Sequence, residues 1–188
     1  MSLTICVDPG HGNHNKRRNQ YDPGAVVKVD GRIIRESEIA MAYANCLRQI
    51  LRASGHVVIR TRVDERDPAP VSRRDDIARA YRCERMISIH CNAAAGRATG
   101  TEAFYRGADD RDMAVKLSAA VASALGLRDR GAKTEKQSQH KSLAVLDFDK
   151  CWLLELGFID NPHDRAAILD PVRMEAACSA IAQVIGER

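Results

Sequence analysis

Aromatic side chains are scarce in this chain: 3 Phe, 4 Tyr and 1 Trp, or 4% of the residues. Bases would find few stacking platforms, and a formal net charge of +4 falls short of the clustered cations of a nucleic-acid footprint. Nucleic acid is therefore not an expected partner. No apolar run approaches the roughly 18 residues that a membrane-spanning helix needs, so membrane insertion is not expected either. A leader is not expected either. The first apolar strand begins at Leu3 and leaves no room for a charged and apolar export segment. That opening predicts synthesis in the cytoplasm without a signal peptide, or a catalytic domain trimmed from a longer exported protein. Cys6, Cys46, Cys83, Cys91, Cys151 and Cys178 are scattered and include no Cys-x-x-Cys pair. They read as reduced, structural thiols.

What is present suits an ordinary globular protein. A chain of 188 residues, 45% hydrophobic and 29% charged, can bury one core, so residues 1–188 are read as one domain and as a monomer. Short apolar runs at Leu3–Val7, His56–Thr61, Met86–His90 and Cys151–Leu156 read as strands. Between them, Ile39, Ala42, Tyr43, Cys46, Leu47, Ile50 and Leu51 recur at helical spacing, and Gly55 closes the run. Further amphipathic helices are expected over 71–83 and 109–125, with a short one from Asn161-Pro162 and a last one from Pro171. Residues 101–106 alternate like a half-exposed strand that reverses direction. Asn13–Arg35 and Asp129–Lys141 read as polar loops, the second followed by a short strand at 143–146. Alternating strands and helices predict an α/β fold: one twisted, mostly parallel sheet of about six strands with helices on both faces.

Chemistry gathers at the strand ends. Asp8-Pro9-Gly10 stops the first strand, because proline cannot donate to a ladder and glycine frees the turn. His11 thus lies on a tight loop at the carboxyl edge of the sheet, where sites form in open α/β folds. His90 ends another strand at the same edge, and Glu36 opens the first long helix. Two His and one Glu make a common ligand set for catalytic zinc, which keeps its fourth position for water. Singly, each residue has a plainer reading. Glu36 complements the helix dipole, His11 is a turn residue, and His90 a satisfied strand-end histidine. Cys91 follows His90, but strand alternation points it to the other face. Glu155 lies in the almost wholly apolar Trp152-Leu-Leu-Glu-Leu-Gly-Phe158, where an acid is costly without a cation or hydrogen-bond partner. A salt bridge to arginine would explain it. So would a place beside a metal as general base and acid.

The segments Val7-Asp-Pro-Gly-His-Gly12, an acid opening the first helix, Ile87-Ser-Ile-His-Cys-Asn-Ala93 and Leu153-Leu-Glu-Leu-Gly-Phe-Ile-Asp-Asn-Pro162 occur in that order. Together they resemble the zinc-dependent N-acetylmuramoyl-L-alanine amidases of the type 3 class, from Leu3 to about Leu169. Thr61-Arg62, Gly100-Thr-Glu102 and Arg130-Gly-Ala-Lys133 add to the likeness, with Arg73 or Arg74 as the arginine of the second helix. The resemblance implies that His11, Glu36 and His90 bind one Zn²⁺ and that Glu155 is the catalytic carboxylate. It implies peptidoglycan as substrate, cut between the lactyl group of N-acetylmuramic acid and L-alanine of the stem peptide. Asn92, His14 and His140 are candidate substrate contacts. A zinc peptidase would use the same kit. A wall-binding module with structural zinc would need a fourth protein ligand, and a cysteine hydrolase built on Cys91 or Cys151 has no local signature. The span from His90 to Glu155 leaves little room for an inhibitory helix. A phage lysis enzyme, let through the membrane by a separate protein, is the expected setting; the excised domain of an exported cell-separation enzyme is the alternative.

Overall fold

A computed structural model describes residues 2–187. Its centre is a six-stranded sheet built from β1 (Thr4–Pro9), β6 (Val57–Arg60), β7 (Arg85–Asn92), β8 (Thr101–Tyr105), β9 (Asp129–Thr134) and β10 (Cys151–Phe158), in the order β6-β1-β7-β10-β8-β9. Neighbours are parallel except β10 and β8, so the chain does reverse direction at β8. Small two-stranded pairs, β2 (Gly12–Asn13) with β3 (Tyr21–Asp22) and β4 (Val26–Val29) with β5 (Arg32–Arg35), occupy the segment expected to be a bare loop.

Helices cover both faces, unequally. On one face lie α1 (Glu36–Ala53), α3 (Arg111–Leu125) and α5 (Pro171–Gly186), with α4 (Pro162–Leu169) beside α5. The buried side chains of α1, Ile39, Tyr43, Leu47 and Leu51, repeat every four residues and meet Ile5, Val7, Ile87 and Ile89 of the sheet. At the end of α3, Gly126 takes φ of 67° and lets Leu127 N–H reach back to Ala122. Pro171 opens α5 behind Asp170, whose carboxylate accepts from Val172 and Arg173 N–H. The opposite face has a thinner cover. There α2 (Arg74–Ala80) and a 3₁₀ turn at Ala144–Asp147 pack Ala78, Val145 and Leu146 against Cys6, Met86, Phe104, Cys151 and Leu153. The cover stops short of the carboxyl ends of β7 and β10, and the side chains beyond it face a cavity.

Several elements differ from their sequence expectation. The basic loop begins as strand β9, which pairs only with β8, and an edge strand tolerates the charges that made it read as loop. The short strand at 143–146 is instead the 3₁₀ turn, since a brief apolar run does not specify its own period. β8 is buried at all five positions because both its edges are paired and both its faces covered. The helix expected over 71–83 is a 3₁₀ turn, Val71–Arg73, and then α2.

Two buried arginines fix the turn after β1. Arg62 donates to Pro9 O at 3.0 Å, Gly10 O at 2.9 Å and Ser37 O at 3.0 Å, tying the turn to the first residues of α1. Arg74, rather than the exposed Arg73, pairs with Asp8 at 2.6 Å and donates to His11 O at 2.6 Å. Asp8 also accepts from Ser88 at 2.6 Å and from Thr61. Burial alone would raise the Asp8 carboxyl, but the Arg74 guanidinium and the two hydroxyls hold it below its ordinary 3.8. Its stabilising contribution is therefore present above pH 3.8 and is lost as pH falls through the lower folded-state value. Asp8→Asn should cost about 3–5 kcal/mol at pH 7 by stranding Arg74. In urea denaturation the gap to wild type should narrow in acid; a constant gap would mean that Asp8 acts through shape and not charge.

Candidate active site

The cavity measures about 710 Å³ and opens where β1, β7 and β10 end. His11 enters it from the turn after β1 with φ of 61°, a left-handed conformation uncommon outside glycine. Glu36 enters from the first turn of α1, and His90 from β7. One donor atom from each of the three lies within 4.8 Å of the others, and among the described residues no other such trio occurs. Glu36 Oε1 is 2.9 Å from His11 Nε2 and 2.9 Å from His90 Nδ1, and it also accepts from Cys91 N–H at 3.0 Å. Its Oε2 accepts from Ala25 N–H at 2.8 Å. The imidazoles meet edge to face, 4.9 Å between centres.

Outer partners orient this trio. Asp22 lies 3.0 Å from His11 Nδ1 and accepts from Asn15 at 2.7 Å and Gly24 N–H at 3.0 Å. That contact turns the other ring nitrogen of His11 toward the centre of the trio, the arrangement by which a carboxylate orients a metal-binding histidine. Glycines shape the cradle. A Cβ on Gly10 would stand 2.4 Å from the His90 ring, and one on Gly24 would stand 2.5 Å from Glu36 Oε2 and 2.7 Å from His11 Cδ2. Burial opposes charge on all three groups. Even so, the hydrogen bonds to Asp22 and Glu36 raise His11 to about 9, while those from His11 and His90 hold Glu36 well below the usual carboxylate range. His90 moves the other way, lowered chiefly by burial.

Glu155 faces the same cavity from β10, directly beside His90 in the strand register. Its Oε2 is buried and has no hydrogen-bond partner among the described residues. Burial, with the charges of Glu36 and Glu102 nearby, pushes its carboxyl well above the ordinary range. Among the described residues no arginine pairs with it, so the salt-bridge reading finds no support there. A half-buried acid whose inner oxygen meets no protein group is placed to meet a ligand, water or ion.

The family model described as N-acetylmuramoyl-L-alanine amidase matches residues 5–187. The chain belongs to that family. The N-acetylmuramoyl-L-alanine amidase LytC of Bacillus subtilis is 29% identical over 185 residues, covering 95% of this chain and 34% of LytC, so the chain spans about a third of that relative. A structure from Neisseria meningitidis, described provisionally as an N-acetylmuramoyl-L-alanine amidase, is 30% identical with a TM-score of 0.77, covering 98% of this chain and 94% of that one. The catalytic domain of the amidase CwlV from Paenibacillus polymyxa shares the fold, with a TM-score of 0.82 at 24% identity over 98% of this chain and 96% of its own.

Within this amidase-family chain, the structure brings His11, Glu36, His90 and Glu155 into one cavity, with Asn92 on its wall and the exposed His140 at its rim. His14 does not line the cavity. Cys91 turns its side chain into the core on the other face, as alternation requires. Asp22 was hidden inside what read as a featureless loop; its one signal was the Asp22-Pro-Gly24 turn. Glu102 could have been found by the argument used for Glu155, since it is an acid inside the apolar Thr101-Glu-Ala-Phe-Tyr105.

Proposed function

We propose that this chain is a zinc-dependent peptidoglycan hydrolase, a single catalytic domain cutting the amide between N-acetylmuramic acid and L-alanine of the stem peptide. The observation that carries this reading is an unpartnered Glu155 set beside a cradled His-Glu-His trio, in a chain of the amidase family. Two imidazoles and a carboxylate suit Zn²⁺, and His11, Glu36 and His90 are the residues that would hold it. When bound, zinc supplies Lewis-acid polarisation of the amide carbonyl and lowers the pKa of water toward about 7.

The protein does the rest with its own groups. With a cation held at the trio to offset the burial and like charges that raise its carboxyl, Glu155 would accept the proton of the attacking water and deliver it to the departing amine of L-alanine, so one carboxylate serves as base and then as acid. Its free Oε2 and its place beside His90 suit both transfers. Asp22 keeps His11 in one ring orientation, and Arg62 and Arg74 keep the His11 turn in register with α1. Asn92 and His140 lie where substrate would pass. No cysteine takes part. Purified peptidoglycan should be solubilised by the protein, the activity should vanish on exhaustive chelation, and added zinc should restore it. Activity that persisted with no metal bound would overturn the reading.

A further inference from the structure

The trio and Glu155 occupy one part of the cavity; another wall carries cations that the mechanism leaves unused. His90 on β7, Glu155 on β10 and Glu102 on β8 lie in register across three adjacent strands. Glu102 is only 3% exposed. Its Oε2 accepts from Arg130 Nε and from Lys133 Nζ, each at 2.5 Å, and its Oε1 accepts from Asn92 at 2.8 Å. One buried carboxylate therefore answers two cations, and the wall keeps a net positive charge. Arg130 rests over the Phe158 ring at 5.0 Å and also donates from Nη1 to Thr99 O at 3.3 Å. Its Nη2 and the other Lys133 protons have no protein partner among the described residues. Both side chains line the cavity and are about a quarter exposed, at 26% and 24%. Cations clamped in place by a buried acid and an aromatic face have lost most of their rotamer freedom before any ligand arrives, which favours anion binding.

The spacing selects the anion. Adjacent strands are about 4.8 Å apart, so Glu102 stands roughly 10 Å across the sheet from His90. A peptide extends by at most about 3.6 Å per residue, so a carboxylate one or two residues beyond a scissile amide at the trio reaches these cations. Only the peptide side of a muramoyl peptide carries carboxylates, because its sugar hydroxyls and acetamides are neutral.

We propose that Arg130 and Lys133, held by Glu102, form a subsite for the free α-carboxylate of the stem residue that follows L-alanine, in stems where that residue is joined onward through its side-chain carboxyl. This rests on the amidase reading of the neighbouring centre and makes the enzyme selective for unamidated stems. The test compares two soluble muramoyl tripeptides, alike except that this residue carries a free α-carboxylate in one and a carboxamide in the other. The zinc-loaded wild type should prefer the acid by roughly 10–100-fold in kcat/KM, the range of a charge-assisted hydrogen bond. Lys133→Met should shrink that preference mainly by raising KM for the acid, and Lys133→Arg should recover much of it. As a readout without any variant, the acid form of the released peptide should inhibit wild type more strongly than its amide. Equal wild-type rates on both tripeptides would overturn the subsite and leave the amidase reading standing. An equal loss on both in Lys133→Met would also overturn it, showing structural support only. Failure to cut either tripeptide would overturn the amidase reading itself.

Discussion

Glu155→Gln should keep the fold and the metal and lose turnover by roughly 10²–10⁴-fold, the span usual for a positioned acid-base group. The substitution nearly preserves shape, and Oε2 has no hydrogen bond to lose. Removing a buried carboxyl whose charge burial opposes should leave stability unchanged or slightly raised. Single-turnover kinetics beside metal analysis separates the possibilities. A variant that is slow but fully metallated agrees with a proton-transfer role. A variant that loses its metal would make Glu155 a ligand, and one with wild-type turnover would remove it from the chemistry.

Glu36→Gln should have the other large effect, on metal content. Glu36 is the hub of the trio, touching His11, His90 and the Cys91 amide through one oxygen. A neutral amide there removes the anionic donor and puts an N–H against groups that now meet an acceptor. The loss of zinc affinity should exceed the about 10–100-fold expected for an outer partner such as Asp22→Asn. Competition with a chelator of known affinity gives both values. If Asp22→Asn weakened zinc more than Glu36→Gln, the assignment of inner and outer carboxylates would be reversed.

Most of the candidate site was legible in the sequence because its parts either flank the ends of regular elements or, like Glu155, stand as an acid inside an apolar strand. Proline and glycine after β1 announce the His11 turn, helical periodicity announces the start of α1 at Glu36, and an acid inside an apolar strand announces Glu155. The order of the sheet was less legible. β9 carries the charges of an edge and so looked like loop, while Val145 and Leu146 are too short a run to declare whether they are strand or turn. Partners fixed only by tertiary packing were invisible. Asp22 reaches His11 across a polar segment, and Glu102 gathers Arg130 and Lys133 from a strand that the sequence did not reveal. Arg62 and Arg74 show the same limit from another side. Charged side chains are rarely fully buried, and what accounts for these two is a turn of backbone carbonyls and Asp8, which only the fold brings to them.

The central claim is the identity of the bond, and the direct measurement is fragment analysis of purified peptidoglycan after digestion. The account predicts stem peptides with a new free L-alanine amine, matched by glycan strands bearing a free lactyl carboxyl, and no change in either product's internal bonds. New reducing sugar ends, or amino acids released from within an otherwise attached stem, would contradict it.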